Sequence, residues 1–413
     1  MPHPPIQGSL STPAEYSLLL DSIVPLVHAR ADYRDWDPRQ WGQTLRIADW
    51  HRVSPILFCH LEQRGGAPPA VRSALERTYL ASAARSLFIA AARRRIVDAL
   101  LAAGSPAMLL KGAALVDTVY KDPAQREMLD LDILVPADRV SAATAALAPL
   151  GYRAVASPHD PTRPSVELHH DHHHGPALVG EHQVVAVELH HHIALADEGS
   201  RLAGERSRFD LGGMWERARP AASGAHMLPS PEDLLVHVCL HFTRNRLGGS
   251  YRRRHTGGAL AQIGDIARVV EREPVDWDLL VAIARDYGLD TGVFVGLFAA
   301  RELGVQIPDT AVTALRPAGF DDHLGRRLVA LRVLRDGDHL PTRTLRWMFA
   351  PSRDVLSRGW NADPTATVSL ARAYMRRARA HVPLARSTLR RPWQYVQDQR
   401  LNGQIRALEE RRA

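Results

Sequence analysis

Apolar and polar positions change rhythm along the chain, and the changes mark its organisation. From residue 13 to about 104, apolar residues recur at i, i+3 and i+4, as in PAEYSLLLDSIVPLV and VSPILFCHLEQ, which predicts helices. AVRSALERTYLASAARSLFIAAARRRIVDALLAAG reads as one long helix or two, closed by Gly104 as a C-cap. The tryptophan-rich stretch 35–50 is expected to pack against these helices. Between 106 and 196 the rhythm shortens. Residues 107–110 suit a buried strand, ALVDTVY a short helix after a turn at Gly112, and LDLDILV a strand. ADRVSAATAALAPLG follows as a helix closed by Gly151, and YRAVAS, SVELHHDHHH and HQVVAVELHHHIAL as further strands. From Ser230 the helical spacing returns in PEDLLVHVCLHFTRNRL, ALAQIGDIARVVERE, WDLLVAIARDYG and TGVFVGLFAARELG. The expected class is α+β. A small α/β core with a mixed sheet spans 106–200, a helical region precedes it over 1–105, a helical domain follows over 225–340, and an Arg/Trp-rich helical tail runs over 341–413.

Composition adds bounds. A chain of 413 residues predicts two or three domains. No apolar run reaches the roughly 18 residues of a membrane span, and the N-terminus lacks the pattern of a secretory signal. The cysteines, Cys59 and Cys239, are isolated, which points to a reducing cytoplasm. A net charge of +7 favours anionic partners such as nucleotides, nucleic acid or a membrane surface. That inference is discounted by a coding bias: every basic residue except Lys111 and Lys121 is arginine, alongside abundant alanine, glycine and proline. The same bias singles out Lys111. Lysine offers a compact charge where arginine offers a planar fork, so a lysine kept in an arginine chain marks a site that needs the compact cation. Lys121 reads as a surface residue nearby.

Candidate chemistry gathers around these lysines. Asp130 and Asp132 are two apart on a strand-like run, so both carboxylates face one side. Leu129, Leu131, Ile133 and Val135 would face the core. Adjacent buried carboxylates call for a cation, and hard oxygen ligands favour Mg²⁺ or Mn²⁺. An Asp-x-Asp alone is weak. Its combination with Lys111-Gly112, a helix start that can face phosphate, and Arg126, which can clamp phosphate through its fork, is far more specific.

The stretch MLLKGAALVDTVYKDPAQREMLDLDILV resembles an uncharacterised nucleotidyltransferase family with the pattern LLKGxAL…R…DxDxLV. It is more distantly similar to the abortive-infection toxin nucleotidyltransferases. Both belong to the DNA polymerase β-like superfamily, and the resemblance extends over roughly residues 40–310. It implies a glycine-containing turn on the nucleotide phosphates, here Lys111, Gly112 and Ala113 with Arg126. It further implies two divalent ions, Mg²⁺ or Mn²⁺, on two acids of one strand and a third acid of a neighbouring strand. In VVAVELHHHIAL, Val185, Val187 and Leu189 would face the core while Glu188, His190 and His192 share the other face. Glu188 maps to the third acid, and could also serve as general base. Two departures are Ala113, where the broader superfamily has glycine or serine, and glutamate rather than aspartate at 188. The implied activity moves an NMP from an NTP, ATP foremost, to a hydroxyl or amine on a small molecule, peptide, protein or RNA, releasing pyrophosphate.

Histidines complete the picture. His170, His172 and His174 share a face if their segment is a strand, and with His190 they are candidates for a site-adjacent role. A solvated hairpin or a zinc site are the other readings. His237 and His241, i and i+4 on a helix, have metal-ligand spacing but lie on an apolar face, which favours core packing. The arginine-rich C-terminal helices and the YRRRH loop suit RNA or another anionic partner. Two further functions fit the same residues: a His/Asp/Glu metal-dependent hydrolase, and a catalytically lapsed nucleotidyltransferase fold acting as a binding module.

Overall fold

A computed structural model describes residues 14–24, 31–154, 175, 177–180, 185–193, 211–222, 224–247 and 257–334. Helices α1 (Ala14–Ile23), α2 (Pro38–Trp50), α3 (Ser54–Arg64) and α4 (Pro69–Ala102) come first. Asp37 caps α2 by accepting from the N–H groups of Arg39 and Gln40, and the Gln40 side chain accepts from the Asp37 N–H. Tyr33 meets Trp36 and Trp41 edge-on, the two tryptophans are tilted on each other, and α2 packs against α1, α3 and α4, as the tryptophan-rich stretch suggests. The long stretch is a single helix of 34 residues; nothing in its interior breaks it, and Gly104 follows it with the left-handed φ of 68° that its C-cap reading requires.

The sheet begins with β1 (Met108–Leu109), followed by α5 (Lys111–Thr118), β2 (Asp130–Leu134), α6 (Val140–Leu147), β3 (Arg153–Ala154), β4 (Leu178–Val179) and β5 (Ala186–His190). After α7 (Leu211–Arg217) come β6 (Arg219–Pro220) and β7 (Met227–Leu228). Seven strands lie in the order β3-β4-β5-β2-β1-β7-β6. β2 is central, antiparallel to β1 and parallel to β5. The class is α+β with a mixed sheet. The second helical run comprises α8 (Pro231–Leu247), α9 (Ala259–Arg272), α10 (Trp277–Asp286), α11 (Asp290–Glu302), α12 (Asp309–Leu315) and α13 (Asp322–Arg332). One apolar core runs through helices and sheet, from Leu18 and Leu19 through Leu131 and Val187 to Phe294.

Three expectations are corrected. Leu129, expected in the core, is half-exposed, because β2 starts one residue later and the alternation holds only inside it. The helix after β1 starts at Lys111 rather than beyond Gly112, with Leu110 in extended conformation as its N-cap. The turn is therefore made by Lys111, with a left-handed φ of 45°, and not by the glycine. Gly112 is needed for a different reason: a Cβ there would come within 3.0 Å of Met128 Cγ. Gly112→Ala is thus expected to lower stability by about 1–2 kcal/mol through overpacking, measurable as a lower urea midpoint; an unchanged midpoint would show that Met128 yields freely.

The segment 165–174 with His170, His172 and His174, the YRRRH loop and the tail 341–413 lie outside the described residues.

Candidate functional site

The site is built on β2, β5 and the start of α5. Parallel pairing of β2 with β5 sets Asp132 opposite Glu188. Leu131, Ile133, Val185, Val187 and Leu189 are buried on the other face of the two strands, which fixes the register and turns the acids together. Ligand atoms of Asp132, Glu188 and His190 lie within 4.8 Å of one another. His190 Nε2 is 2.7 Å from Asp132 Oδ1 and 3.8 Å from Glu188 Oε2. A carboxylate can only accept, so His190 Nε2 carries the hydrogen in this contact. Lys111 Nζ donates to the same Oδ1 at 2.5 Å. The left-handed backbone of Lys111 costs on the order of 1 kcal/mol, and this ion pair, with both side chains largely buried, offsets it.

Electrostatics separate the two aspartates. Burial alone would raise the Asp132 carboxyl, but Lys111 and His190 hold it well below its usual range. Burial likewise works against the Lys111 ammonium, and Asp132 and Glu188 more than compensate, leaving its pKa raised. Asp130 stands at the rim of the sheet, where its surface reaches solvent. The protein around it still removes enough water to push its carboxyl up, with Asp132 and Glu188 adding repulsion, to about 6. A folded-state pKa above the unfolded value of 3.8 means that the folded chain holds an extra proton between pH 4 and 6. That contribution is therefore lost as pH rises through this window. Undiscounted, a shift of this size corresponds to about 3 kcal/mol; solvent screening at the rim leaves about 1 kcal/mol. Asp130→Asn is expected to raise the stability of chelator-treated protein by about that amount at pH 7.5 and by nothing at pH 4, as read by urea unfolding at both pH values.

Arg126 is turned elsewhere. Its guanidinium is buried and grips Asp265 of α9 through two contacts, Nε–Oδ1 at 2.7 Å and Nη2–Oδ2 at 2.9 Å. Tyr120 donates its hydroxyl to the same carboxylate at 2.9 Å. The fork expected to meet phosphate is thus occupied in this structure, although its charge still pulls on Asp130. Asp265 is the residue that sequence reasoning missed; the signal was an acid among Ile263, Ile266 and Val269 on the buried face of α9. Gly112 and Ala113 are buried in the first turn of α5, whose N–H groups no earlier turn can engage. Lys121 is exposed, in line with its surface reading.

Among the described residues, His237 and His241 belong to no group of three metal-ligating side chains. His237 is buried in α8, and its Nδ1 has no hydrogen-bond partner there. Burial, then the charges of Lys111 and His190, push its pKa down to about 3. Core packing is thus right for His237, but the helix face that bears it looks onto the site.

Residues 37–304 match the family described as uncharacterised nucleotidyltransferase, which is more than half of the chain. The chain belongs to this family. The resemblance to that family is therefore shown, and Lys111, Asp130, Asp132, Glu188 and Asp265 all fall within the matched residues. No curated protein and no solved structure matches the chain. Among the described residues, no helix is long and apolar enough to cross a membrane.

Proposed function

We propose that this nucleotidyltransferase moves an NMP from an NTP, ATP foremost, to a hydroxyl or amine acceptor, with pyrophosphate as the leaving group. The observation that supports this most is the register that puts Asp132 opposite Glu188, beside Asp130 and under Lys111. Such a concentration of negative charge on one sheet face suits cations and the polyphosphate they bring.

The donor set fits a divalent cation. Asp132 and Glu188 face each other across the paired strands, and Asp130 has a carboxyl already strained by its neighbours. Asp130, Asp132 and Glu188 would hold one or two Mg²⁺ or Mn²⁺ ions. When bound, such ions neutralise phosphate charge and lower the pKa of an acceptor hydroxyl. His190 orients Asp132 by donating to Oδ1, which leaves Oδ2 directed away from that contact. Lys111 brings the compact cation that phosphate needs, and the first-turn N–H groups at Gly112 and Ala113 present donors beside it. Glu188, half-buried on its strand, would take a proton from the acceptor. Arg126 acts on this site by position: held by Asp265, it fixes the segment that leads into β2 and biases the charge of Asp130.

The test is incubation with each labelled NTP and Mg²⁺ or Mn²⁺, beside the Asp130→Ala/Asp132→Ala variant. Pyrophosphate and transferred label are expected from the wild type and neither from the variant. NTP binding without pyrophosphate release would instead indicate a lapsed binding module, and NTP-independent ester hydrolysis with zinc would indicate a hydrolase.

A further inference from the structure

Helix α4 has two faces of different character. Val71, Leu75, Ile89, Ile96, Val97 and Leu100 are buried. Its contacts with α2, α3, α6 and the short turn over residues 123–125 are on the inside of the protein. Ser82 and Ser86 donate to the carbonyls of Ala124 and Pro123, and Arg85 to that of Met128, so this inner face supports the segment that leads to Asp130.

The outer face is different. Leu80 is 57% exposed, Leu87 75%, Phe88 61% and Leu101 44%. These are four of the seven large hydrophobic side chains exposed among the described residues. The positions 77, 80, 84, 87, 91, 94, 98 and 101 are all exposed and are spaced alternately by three and four, which is the spacing of a coiled-coil seam. Read along the seam, they are Arg77, Leu80, Ala84, Leu87, Ala91, Arg94, Asp98 and Leu101. A solvated helix face has no need of leucines at this interval.

The charges on the seam choose its partner. Aligned in parallel with a second copy, the seam would set Arg77 against Arg77, Arg94 against Arg94 and Asp98 against Asp98. Turned antiparallel about a two-fold axis at Leu87, it becomes self-complementary. Leu87 then meets its own copy, and Ala84 meets Ala91 so that the helices can approach closely. Arg77 meets Asp98 at both ends, and the aliphatic stem of Arg94 covers Leu80. Phe88 flanks the axis beside Leu87. We propose that the outer face of α4 is the seam of an antiparallel two-fold dimer centred on Leu87. This is an isologous contact, in which every pairing occurs twice.

The proposal is tested on the full chain by sedimentation equilibrium and light scattering across a micromolar concentration series. The wild type is expected at twice the chain mass at the upper end. Leu87→Arg puts two like charges on the axis and is expected to give the monomer mass with an unchanged circular-dichroism spectrum. Arg77→Asp and Asp98→Arg should each weaken the dimer about tenfold, since each disturbs two pairs. The double variant Arg77→Asp/Asp98→Arg should recover wild-type affinity. Under oxidation, Leu87→Cys should cross-link two chains through the axis, and Leu80→Cys should not. A wild type that stays monomeric throughout the series would overturn the proposal. So would a dimer insensitive to Leu87→Arg, or a double variant no tighter than either single one.

Discussion

Asp132→Asn is expected to lower turnover by about three orders of magnitude, the scale on which removing one well-placed charge-stabilising group acts, and to lower stability at the same time. The second effect follows from Lys111. Its side chain is only 15% exposed, and Asp132 is its hydrogen-bonded counter-ion at 2.5 Å. With the carboxylate gone, the ammonium stays buried with its charge uncompensated on that side, a loss of about 3 kcal/mol. Glu188→Gln separates the two effects. Glu188 is more accessible, at 22%, so this variant should lose activity on a similar scale while its urea midpoint moves little. Both variants are measured by pyrophosphate release and by urea unfolding. Turnover within a few-fold of wild type in Asp132→Asn would remove Asp132 from the chemistry.

Acid is expected to unfold the protein from pH 6.5 downwards, well before its carboxylates are neutralised. His51 and His237 are both buried, and both have their pKa pushed down from 6.5 to about 3. Burial is the main cause in each, followed by Arg246 for His51 and by Lys111 for His237. Local bonding agrees for His51. Its Nδ1 accepts from the Leu260 N–H, so a proton there would set donor against donor. For a base with a depressed folded-state pKa, the unfolded chain binds the extra proton between pH 3 and 6.5. Stability is therefore complete above pH 6.5 and is lost as pH falls. Each histidine contributes about 1.4 kcal/mol per pH unit in that window, so the pair removes about 4 kcal/mol by pH 5. That is a large part of the 5–15 kcal/mol typical of a folded domain, and it outweighs the opposite, smaller contribution of Asp130. Urea unfolding at a series of pH values should show at least this slope, since burial also lowers the pKa of His241, and His51→Gln and His237→Gln should each remove about 1.4 kcal/mol per pH unit of it. A double variant with the full slope would mean that other groups drive acid unfolding.

Much of the sheet face was legible because its signal is local. Period-two alternation in LDLDILV and VVAVELHHH fixes which side chains share a face, and two runs of that length admit few pairings. Coding bias made Lys111 visible, since a lysine in an arginine chain stands out by composition alone. Other parts had no local signal. β1, β6 and β7 span two residues each, too few for any period to register. The left-handed turn falls on Lys111 and not on the glycine next to it, which is there because Met128 claims the space that a side chain at 112 would fill. The fate of Arg126 depended on Asp265, 139 positions away. The expectation that the fork would face phosphate rested on its chemistry and on the family pattern, and a buried acid on a later helix is the kind of partner that neither can report.

That last contact has a bearing on the order in which the protein is made. Asp130, Asp132 and Glu188 leave the ribosome long before Asp265. Until α9 follows, Arg126 has no counter-ion, Tyr120 has no acceptor, and the approach to β2 lacks its anchor. A chain stopped short of residue 265 carries every acid of the site but lacks the contact that anchors the segment leading into β2. Support for the entry to β2 therefore comes from a helix made more than a hundred residues later, and truncation before α9 removes that support while leaving the acids in the chain.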